Sequence, residues 1–449
     1  MATKQPADSL TLVVGLGQTG LACARFLSAQ GEPFAVVDSR NNPPGLETLR
    51  REFPQVPVYL GEFDRERFLT AGRLLLSPGV APQQPVVSEA QQAGIELLGD
   101  VELFARHAKA PVIAITGSNG KSTVTALLGE MAKQAGKRVL VGGNIGTPAL
   151  ALLEQPVPEL YVLELSSFQL EVTRSLNCRA AAVLNLSEDH LDRHRSLANY
   201  AAIKARIYAG DGVMVINADD PLVAAMAEGG RQVTRFTLGT PKGEHDYGLL
   251  VDEGRDWLAR GGQRLMPVNQ MRMPGRHNQA NALAALALGE AAGLTLAPML
   301  QTLREFAGLP HRCQWVAEID QVNYYEDSKG TNVGATLAAL AGLPGEKVVL
   351  IAGGQGKGQD FAPLREVVAQ RARCVVLIGE DAPVIARALE GAAELEFANS
   401  MEQAVEVAAG AARTGDSVLL SPACASFDMF SNYAARGEAF VAAVQGRRR

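Results

Sequence analysis

Short apolar segments alternate with longer segments of helical periodicity along most of the chain. The apolar segments predict buried strands at residues 10–14, 34–37, 74–76, 112–115, 138–141, 160–165, 180–186, 347–351, 374–378 and 417–420. Strands that alternate with helices at this spacing are typical of a parallel sheet covered by helices on both faces. Residues 213–268 are also strand-rich, but turns interrupt them without the intervening helices. The pattern therefore predicts an α/β protein.

The length of the chain predicts several domains. It has 449 residues, and at roughly 150 residues per domain this corresponds to about three domains. We place the boundaries where the alternation of strands and helices restarts, which gives domains at residues 1–98, 99–308 and 309–449. The second boundary falls beside Pro310, which we interpret as a hinge.

The strongest motif follows the predicted strand at residues 112–115. Residues 116–123 are Thr-Gly-Ser-Asn-Gly-Lys-Ser-Thr, and a segment of helical periodicity follows them. A strand, a glycine-rich loop and a helix form a phosphate cradle, because the loop N–H groups and the helix N-terminus face the anion. Lys121 supplies a positive charge, and Ser122 offers a hydroxyl to Mg²⁺. Ile115 stands where the strict motif has glycine, so this is a variant P-loop.

A second glycine-rich loop follows the first predicted strand. Residues 15–20 are Gly-Leu-Gly-Gln-Thr-Gly, and Asp38 stands at the tip of the next strand. This combination predicts a dinucleotide-binding fold. The same turn can hold any pyrophosphate, including that of a UDP-sugar, so the motif alone leaves NAD and UDP open. Residues 77–79 (Ser-Pro-Gly) return to the same carboxyl edge of the sheet, where ligands of open α/β sheets bind.

Composition narrows the classes of protein. The net charge of −6 argues against nucleic-acid binding, which needs a basic surface. No apolar run approaches ~18 residues, so we expect no membrane span. Five scattered cysteines without a C-x-x-C pair fit a reducing compartment and indicate neither zinc nor disulfides. Residues 1–9 lack the apolar core of a signal peptide. We expect a cytoplasmic monomer that acts on small molecules.

Three more residues of the central segment carry candidate chemistry. Glu164 stands near the end of an apolar strand, where a carboxylate beside a P-loop holds Mg²⁺; without the P-loop, a solvated glutamate would be the better interpretation. His190 lies in a polar loop. Because Mg²⁺ prefers oxygen ligands, residue chemistry alone favours Asp189 or Asp192. Lys204 lies in a helical pattern, where a lysine is normally part of a solvated face.

The last segment has three strand-end loops that mix lysines, hydroxyls and glycines. They are residues 327–332 (Asp-Ser-Lys-Gly-Thr-Asn), 353–358 (Gly-Gly-Gln-Gly-Lys-Gly) and 421–428 (Ser-Pro-Ala-Cys-Ala-Ser-Phe-Asp). Such loops bind carboxylate or phosphate anions, although each alone could be an ordinary turn. Cys424 has no flanking base that would make it a nucleophile. Arg312, at the hinge, offers a cation that could swing onto a phosphate.

Taken together, these motifs resemble those of the bacterial Mur ligases. They occur in order over nearly the whole chain: Gly15-x-Gly-x-Thr-Gly20, Thr116-Gly-Ser-Asn-Gly-Lys-Ser122, Gly143-Asn-Ile-Gly146, Glu164-Leu-Ser-Ser-Phe-Gln-Leu-Glu171, Asp189-His-Leu-Asp-Arg193, Gly275-Arg-His-Asn278, Leu309-Pro-His-Arg312, Asp327-Ser-Lys-Gly-Thr-Asn332 and Ser421-Pro-Ala-Cys-Ala-Ser-Phe-Asp428. The P-loop marks the wider ligase superfamily, which includes the folylpolyglutamate synthetases. The first-domain loop and the runs at 166–171 and 421–426 resemble the members that add D-glutamate.

The resemblance implies a fold and a reaction. It implies a Rossmann-like domain for a UDP-linked substrate (1–98), a central P-loop ATPase domain (99–308) and a Rossmann-like C-terminal domain for the incoming amino acid (309–449). ATP would phosphorylate the terminal carboxylate of UDP-N-acetylmuramoyl-L-alanine. The amine of D-glutamate would then attack the acyl phosphate, giving an amide, ADP and phosphate.

The resemblance also implies site residues, matched position by position. Lys121, His190 and Lys204 would be catalytic. Ser122 with Glu164 would hold one Mg²⁺, and His190 with Lys204, as a carbamate made with CO₂, would hold a second. The ATP site would comprise Gly117, Ser118, Asn119, Gly120, Lys121, Ser122, Thr123, Asn278, Asn281, Arg312, Asp327 and Lys329.

The two remaining substrates have implied sites as well. The UDP-linked substrate would contact Gly15, Leu16, Gly17, Gln18, Thr19, Gly20, Asp38, Ser39, Arg40, Ser77, Pro78, Gly79, Asn144, Ser166, Gln169 and His190. D-Glutamate would contact Lys329, Thr331, Lys357, Ser426, Phe427 and Tyr433. Gly330 and Tyr433 depart from the family pattern, which has alanine and phenylalanine there.

Hypotheses from other classes compete with a ligase. An NAD-dependent oxidoreductase built on residues 15–20 would leave the P-loop unexplained. A non-enzymatic ATP switch, with the last domain as its partner-binding element, predicts no phosphate release that depends on D-glutamate. The nearest enzymatic alternatives are a Mur ligase that adds a different amino acid and a ligase like the folylpolyglutamate synthetases.

Overall fold

Three sheets follow one another along the chain, each packed against helices. The structure, a computed structural model, describes residues 10–227, 229–273, 275–343 and 346–447. Most strand pairs in the three sheets are parallel, which confirms the prediction of a three-domain α/β protein. The boundaries at 98/99 and 308/309 stay predictions.

The first sheet is parallel throughout. Its strands are β1 (Thr11–Val14), β2 (Phe34–Asp38), β3 (Val58–Leu60), β4 (Arg73–Leu76) and β5 (Glu96–Gly99). The helices are α1 (Gln18–Ala29), α2 (Leu46–Glu52), α3 (Arg65–Thr70), α4 (Pro85–Gln92) and α5 (Asp100–His107). The strand order is β3-β2-β1-β4-β5, so the order reverses between β1 and β4. Ligands of open α/β sheets bind in the crevice at such a switch point.

The second sheet combines parallel strands with an antiparallel extension. Its strands are β6 (Val112–Thr116), β7 (Val139–Gly143), β8 (Leu160–Glu164), β9 (Ala180–Val183), β10 (Val213–Asn217), β11 (Val233–Phe236), β12 (Tyr247–Asp252), β13 (Arg255–Arg260) and β14 (Gln263–Pro267). The order is β14-β13-β12-β11-β10-β9-β6-β8-β7. The pairs β12–β13 and β13–β14 are antiparallel. Because β6 lies between β8 and β9, the loops that follow these three strands meet at one edge.

The last two helices of this domain pack on the P-loop helix. The helices of the domain are α6 (Lys121–Gln134), α7 (Ser167–Leu170), α8 (Leu191–His194), α9 (Leu197–Ala205), α10 (Pro221–Ala224), α11 (Arg276–Ala291) and α12 (Leu296–Glu305), with 3-10 turns at Ala149–Glu154, Arg206–Tyr208 and Val268–Gln270. Along β6, Val112 and Ala114 pack into one apolar cluster, whereas Ile113 and Ile115 pack into the cluster on the other face. Burial on both faces explains why this strand is a continuous apolar run.

The third sheet has one antiparallel edge strand. Its strands are β15 (Gln314–Ile319), β16 (Val322–Glu326), β17 (Val348–Gly353), β18 (Ala372–Ile378), β19 (Glu394–Phe397) and β20 (Ser417–Leu420), in the order β15-β16-β20-β17-β18-β19. Its helices are α13 (Val333–Gly342), α14 (Leu364–Arg371), α15 (Ala382–Leu389), α16 (Met401–Ala411) and α17 (Tyr433–Gly446). The pair β15–β16 is antiparallel.

The first two domains share a hydrophobic core, and the third has its own. Phe104 on α5 packs edge-on against Tyr161 on β8, with 5.1 Å between the ring centroids. One apolar cluster extends from Val13 in β1 to Ile216 in β10, whereas the third domain forms two separate clusters. The first two domains are therefore joined by packing that the third domain does not share.

Candidate active site

The loop between β6 and α6 forms a cradle that is open to an anion. Gly117 and Gly120 have φ values of +150° and +82°, which other residues rarely adopt. Gly120 is the N-cap of α6, so the first N–H groups of this helix point toward the loop. Asn185, just after β9, holds the loop in place. Its Oδ1 accepts a hydrogen bond from the Asn119 N–H (2.8 Å), and its carbonyl accepts one from the Ser118 N–H (2.9 Å).

Lys121 folds back over this loop. Its Nζ donates to the carbonyl oxygens of Gly117 (2.9 Å) and Ser118 (2.8 Å). Burial lowers the pKa of Lys121, although Glu164 and Asp189 act in the opposite direction. Within the described ranges, no carboxylate lies within ion-pair distance of Nζ, so its positive charge is available to a ligand.

Glu164 ends β8 directly beside β6 and is buried. Its Oε1 accepts a hydrogen bond from Asn144 Nδ2 (2.7 Å). Its Oε2 is buried without a hydrogen-bond partner in the part of the chain that the structure describes. A buried carboxylate oxygen without a partner is destabilising unless a ligand or cation satisfies it. An oxygen of this kind beside a phosphate cradle fits Mg²⁺.

Lys204 is buried on α9, with 1% of its surface exposed. Its Nζ donates to Thr116 Oγ1 (3.1 Å) and to the Gly117 carbonyl (2.9 Å), and it lies 4.6 Å from the centroid of the Tyr200 ring. Burial, assisted by the charge of Lys121, holds the pKa of Lys204 well below its usual value. Lys204 therefore does not lie on a solvated helix face, as a helical lysine normally does.

His190 is exposed in the loop after β9. It is the N-cap of α8 and has a φ of +54°. Its Nε2 lies 3.7 Å from Asp189 Oδ1, and its ring centroid lies 4.8 Å from that of Phe168. The side chain of Asp192 lies outside the described part of the structure. Among the described residues, no cluster of three or more His, Cys, Asp or Glu side chains could hold a metal ion.

A cavity of about 300 Å³ lies between the central and third domains. Arg312 reaches across it, and its Nη2 donates to Ser122 Oγ (2.8 Å). Burial raises the pKa of Asp327 to about 7, although Ser421 Oγ donates to its Oδ2 (2.7 Å). The cavity brings together most of the residues predicted to bind ATP: Asn119, Gly120, Thr123, Asn278, Asn281, Arg312, Asp327 and Lys329.

A second cavity, of about 390 Å³, lies between the loop after β9 and the third domain. It is lined by His190 together with Thr331 and Lys357, two of the residues predicted to bind the amino acid. The other predicted residues lie elsewhere. Lys329 lines the first cavity and donates to the Tyr433 hydroxyl (3.1 Å). Ser426 is buried, and the neighbouring Phe427 is 64% exposed; neither lines the second cavity.

The first-domain loop lies at the switch point of its sheet. Ser77 Oγ, after β4, donates to the Gly15 carbonyl (2.9 Å), which joins the two predicted parts of the site. Asp38 accepts hydrogen bonds from the Leu16 N–H (2.7 Å) and from the Arg40 side chain (2.7 and 2.8 Å). The Asp38 carboxylate therefore holds the loop. A Cβ at Gly17 would meet nothing within 4 Å, which leaves room for a ligand.

Other residues predicted to contact this substrate lie in two places, one within the first domain and one at its boundary with the central domain. A cleft of about 590 Å³ beside β2 is lined by Ser39. Pro78 and Gln169 line a small closed space between the domains. Ser166 caps α7 in a capping box with Gln169, whose Nε2 also donates to Asp100 Oδ2 (3.3 Å). Both ends of the Gln169 amide are therefore bonded to protein groups. Asp100 is buried, which raises its pKa to about 6.

Three residues of the site were missed by sequence reasoning. Asn185 holds the P-loop, and only the position of β9 beside β6 reveals it. The Tyr200 hydroxyl lies 3.4 Å from Ser118 Oγ. Tyr200 precedes Lys204 by four residues on one helix, and this spacing could have indicated that the two side chains share a face of the helix. His277 lines the first cavity, and burial lowers its pKa to about 4. His277 directly precedes Asn278 in the motif Gly275-Arg-His-Asn278.

The fold and the site define a three-domain α/β protein with a P-loop, in which the third domain completes the first cavity. Family models match the three parts of the chain in order. The Mur ligase MurD-like N-terminal domain matches residues 9–99, the Mur ligase middle domain matches 115–289, and the Mur ligase glutamate ligase domain matches 311–424. The chain belongs to the Mur ligase family, which confirms the resemblance. It is accordingly an ATP-dependent ligase, a class that uses ATP and Mg²⁺.

Individual relatives agree with this assignment. The UDP-N-acetylmuramoylalanine–D-glutamate ligase of Nitrosococcus oceani is 55% identical over 443 residues, which cover 98% of each chain. The ligase of the same name from Methylobacillus flagellatus is 54% identical over 443 residues, covering 98% of this chain and 97% of the relative.

Solved structures share the fold at lower identity. The UDP-N-acetylmuramate-alanine ligase of Thermotoga maritima has a TM-score of 0.59 at 20% identity, covering 98% of this chain and 100% of that one. A pseudomurein peptide ligase type C from Methanothermus fervidus has a TM-score of 0.60 at 18% identity, covering 97% of this chain and 99% of that one.

Within the described residues, no helix has the length and apolar character needed to cross a bilayer.

Proposed function

We propose that this chain joins D-glutamate to UDP-N-acetylmuramoyl-L-alanine at the expense of ATP. The reaction forms an acyl phosphate and then an amide, releasing ADP and phosphate, and it is a cytoplasmic step of peptidoglycan precursor synthesis carried out by a monomer. The strongest support is the identity of 55% over 98% of both chains with a ligase named for this reaction. The cleft between the P-loop and the third domain supports it independently, because that cleft contains the residues matched to ATP.

The substrates are assigned to three places. The UDP-linked substrate binds the first-domain loop at residues 15–20 and extends along the domain boundary toward Ser166 and Asn144. ATP binds the P-loop and the first cavity. D-Glutamate binds the third domain, near Thr331 and Lys357 in the second cavity and near Lys329, Ser426, Phe427 and Tyr433 on neighbouring segments of the same domain.

Two Mg²⁺ sites complete the proposal. Ser122 and Glu164 hold one ion, supported by the unpartnered buried Oε2 of Glu164. His190 and Lys204 hold the other. The ions supply positive charge against the charge that develops as the phosphoryl group moves between two anions. Lys121 adds its own charge from the P-loop. The third domain, when closed, orients the amine and excludes water from the acyl phosphate.

Lys204 takes part as a carbamate. Its burial favours the neutral amine, which is the form that attacks CO₂: an N–C bond forms, a proton is lost, and a cation becomes a pair of oxygen ligands. The contacts of Nζ with Thr116 and Gly117 place it beside the P-loop. Lys121 and Arg312 already supply positive charge there, so an oxygen ligand for Mg²⁺ is more useful at this position than a protonated lysine.

A panel of amino acids tests the substrate assignment. Purified protein is incubated with ATP, Mg²⁺ and each UDP-muramoyl precursor, and phosphate release is measured with D-glutamate, L-alanine, a diamino acid or a dipeptide. We expect release only with D-glutamate and UDP-N-acetylmuramoyl-L-alanine together. Release with another amino acid and its matching precursor would identify a sister ligase. Titration with NADH serves as the control for the oxidoreductase hypothesis, and we expect no binding.

The variant Lys204→Ala tests the carbamate. We expect kcat to fall on the order of 10²-fold, because one transition-state ligand is lost. Added short-chain carboxylates should restore part of the activity by occupying the space of the missing carbamate. Independently of turnover, ¹³C NMR of the wild-type protein under ¹³CO₂ should show a carbamate resonance that is missing from Lys204→Ala. Wild-type activity in the variant would exclude this role.

A further inference from the structure

A large polar cleft lies between the first and central domains, away from the first and second cavities and next to the small closed space lined by Pro78 and Gln169, with which it shares Pro82 and Val172. Its volume is about 680 Å³. Gln83 and Gln91 line it from the first domain, and Arg174, Arg206 and Arg231 line it from the central domain. None of the residues assigned to ATP, Mg²⁺ or the two other substrates lines this cleft. The proposed binding of ATP, Mg²⁺ and the other substrates therefore leaves this cleft without an assigned ligand.

The cleft carries positive charge, and backbone carbonyl groups hold arginine side chains of its lining in place. Among the described residues, one acidic residue lines the cleft: Glu171, which is already paired with Arg193, since Oε2 lies 2.5 Å from Nη2. Arg206 Nη1 donates to the Glu171 carbonyl (2.6 Å), and Arg231 Nη2 donates to the Gly212 carbonyl (2.6 Å). The Glu171 carbonyl orients the Arg206 guanidinium without neutralising it. No carboxylate of the described residues lies within ion-pair distance of Arg206.

We propose that this cleft binds a small phosphate-bearing anion. Oriented guanidinium groups bind phosphate oxygens bidentately, and this is the geometry for which arginine is preferred over lysine. The glutamine amides add neutral donors on the opposite wall. The floor includes apolar side chains such as Leu97 and Ile203, which can cover the carbon atoms of a phosphate ester. The volume accommodates a phosphate ester as well as the free ion.

A ligand in this cleft contacts elements of two domains at once. Gln91 is in the last turn of α4 in the first domain, whereas Ile203 and Ala205 lie on α9 on either side of Lys204. A bound anion therefore contacts the first domain and the helix that carries Lys204. Its binding favours whichever arrangement of these two elements holds the arginines and amides closest to it.

Two neighbouring glutamines provide a matched test. Gln91 and Gln92 are both exposed at the end of α4, but only Gln91 lines the cleft. Thermal unfolding is followed during titration with inorganic phosphate, at constant ionic strength and with Mg²⁺–ADP filling the P-loop. In wild-type protein we expect a saturable rise of Tm, because a ligand of the folded state stabilises it. Gln91→Glu should weaken phosphate binding roughly fivefold, whereas Gln92→Glu should change it by less than about twofold.

A second variant and a second probe complete the experiment. The Arg174 guanidinium makes no side-chain hydrogen bond in the described ranges, so Arg174→Gln should fold normally and weaken phosphate binding roughly threefold. Glycerol 3-phosphate replaces phosphate in a parallel titration: tighter binding identifies an ester as the ligand, and equal binding identifies the free ion. The proposal is wrong if phosphate gives no saturable shift, or if Gln91→Glu and Gln92→Glu bind it equally.

Discussion

The two glycine-rich loops occupy equivalent places, each between the carboxyl end of a central parallel strand and the start of a helix, yet they are held by opposite chemistry. Behind residues 15–20 lies the carboxylate of Asp38, which accepts the Leu16 N–H. Behind the P-loop lies the neutral amide of Asn185, and Lys121 adds a positive charge. A negative group behind a loop reduces its attraction for anions. The first loop therefore suits a pyrophosphate diester, and the P-loop suits the higher charge of a triphosphate.

Removing the charge of the P-loop should have the largest effect. In Lys121→Ala we expect kcat to fall on the order of 10²–10³-fold, because a charge that stabilises the transferred phosphoryl group is lost. Lys121→Arg keeps the charge but changes its geometry, so it should recover part of the activity. Phosphate release under saturating substrates gives kcat, and an unchanged unfolding transition serves as the control. Activity within about fivefold of wild type would contradict the assignment.

Adding a methyl group to the first loop should have an intermediate effect that depends on position. A Cβ at Gly20 would overlap the Gly15 carbonyl oxygen, whereas a Cβ at Gly17 would meet nothing within 4 Å. We expect Gly20→Ala to destabilise the protein by about 1–3 kcal/mol through overpacking. Gly17→Ala should leave the stability nearly unchanged while raising KM for the UDP-linked substrate, since it fills the space left for a ligand. Urea unfolding and steady-state kinetics measure the two effects. Equal destabilisation by both substitutions would contradict this description of the loop.

Neutralising the group behind the first loop should have the smallest effect, and it should depend on pH. Burial raises the pKa of Asp38, but hydrogen bonds from Arg40 and from the Leu16 N–H outweigh it, so the net pKa is lowered. A carboxyl whose pKa is lowered by folding stabilises the protein above its unfolded pKa of about 3.9, and this contribution is lost as the pH falls through the folded value.

The variant Asp38→Asn should therefore be less stable than wild type by about 1 kcal/mol at neutral pH. The difference in unfolding free energy should shrink below about pH 4. Urea unfolding between pH 3 and 7 measures it. Glu89→Gln is the control in the same domain, because its ion pair with Arg65 is solvent-exposed and should contribute little. A difference that does not change with pH would show that the Asp38 charge does not hold the loop.

The sheets and the P-loop could be predicted from the sequence because their residues are determined locally. A strand buried on both faces must be continuously apolar, as β6 is, and a phosphate loop needs glycine where φ is positive, as at Gly120. The burial of Lys204 could not be predicted, because the short helix α9 gives no indication that its lysine lies against the P-loop. Only the hydrogen bonds of Lys204 to Thr116, at the end of β6, and to Gly117 reveal it.

Contacts between distant segments account for the other differences. The predicted substrate contact Gln169 is bonded to Asp100, which lies 69 residues away in sequence and belongs to another element. The residues matched to D-glutamate are divided because Thr331 and Lys357 face the second cavity while Lys329 faces the first. Motif matching identifies which residues belong to a site. It contains no information about which cavity each side chain of a loop faces, on which the assembly of that site depends.

The first cavity, which we propose binds ATP, has one wall on each of two domains, with Arg312 reaching Ser122 across it. Occupancy of this cavity and closure of the third domain are therefore thermodynamically linked, so each favours the other by the same factor. As the same domain carries Thr331 and Lys357, the affinity for the amino acid should rise and fall with the concentration of ATP. A cell depleted of ATP would lose not only the energy source of the reaction but also much of the protein's hold on its second substrate.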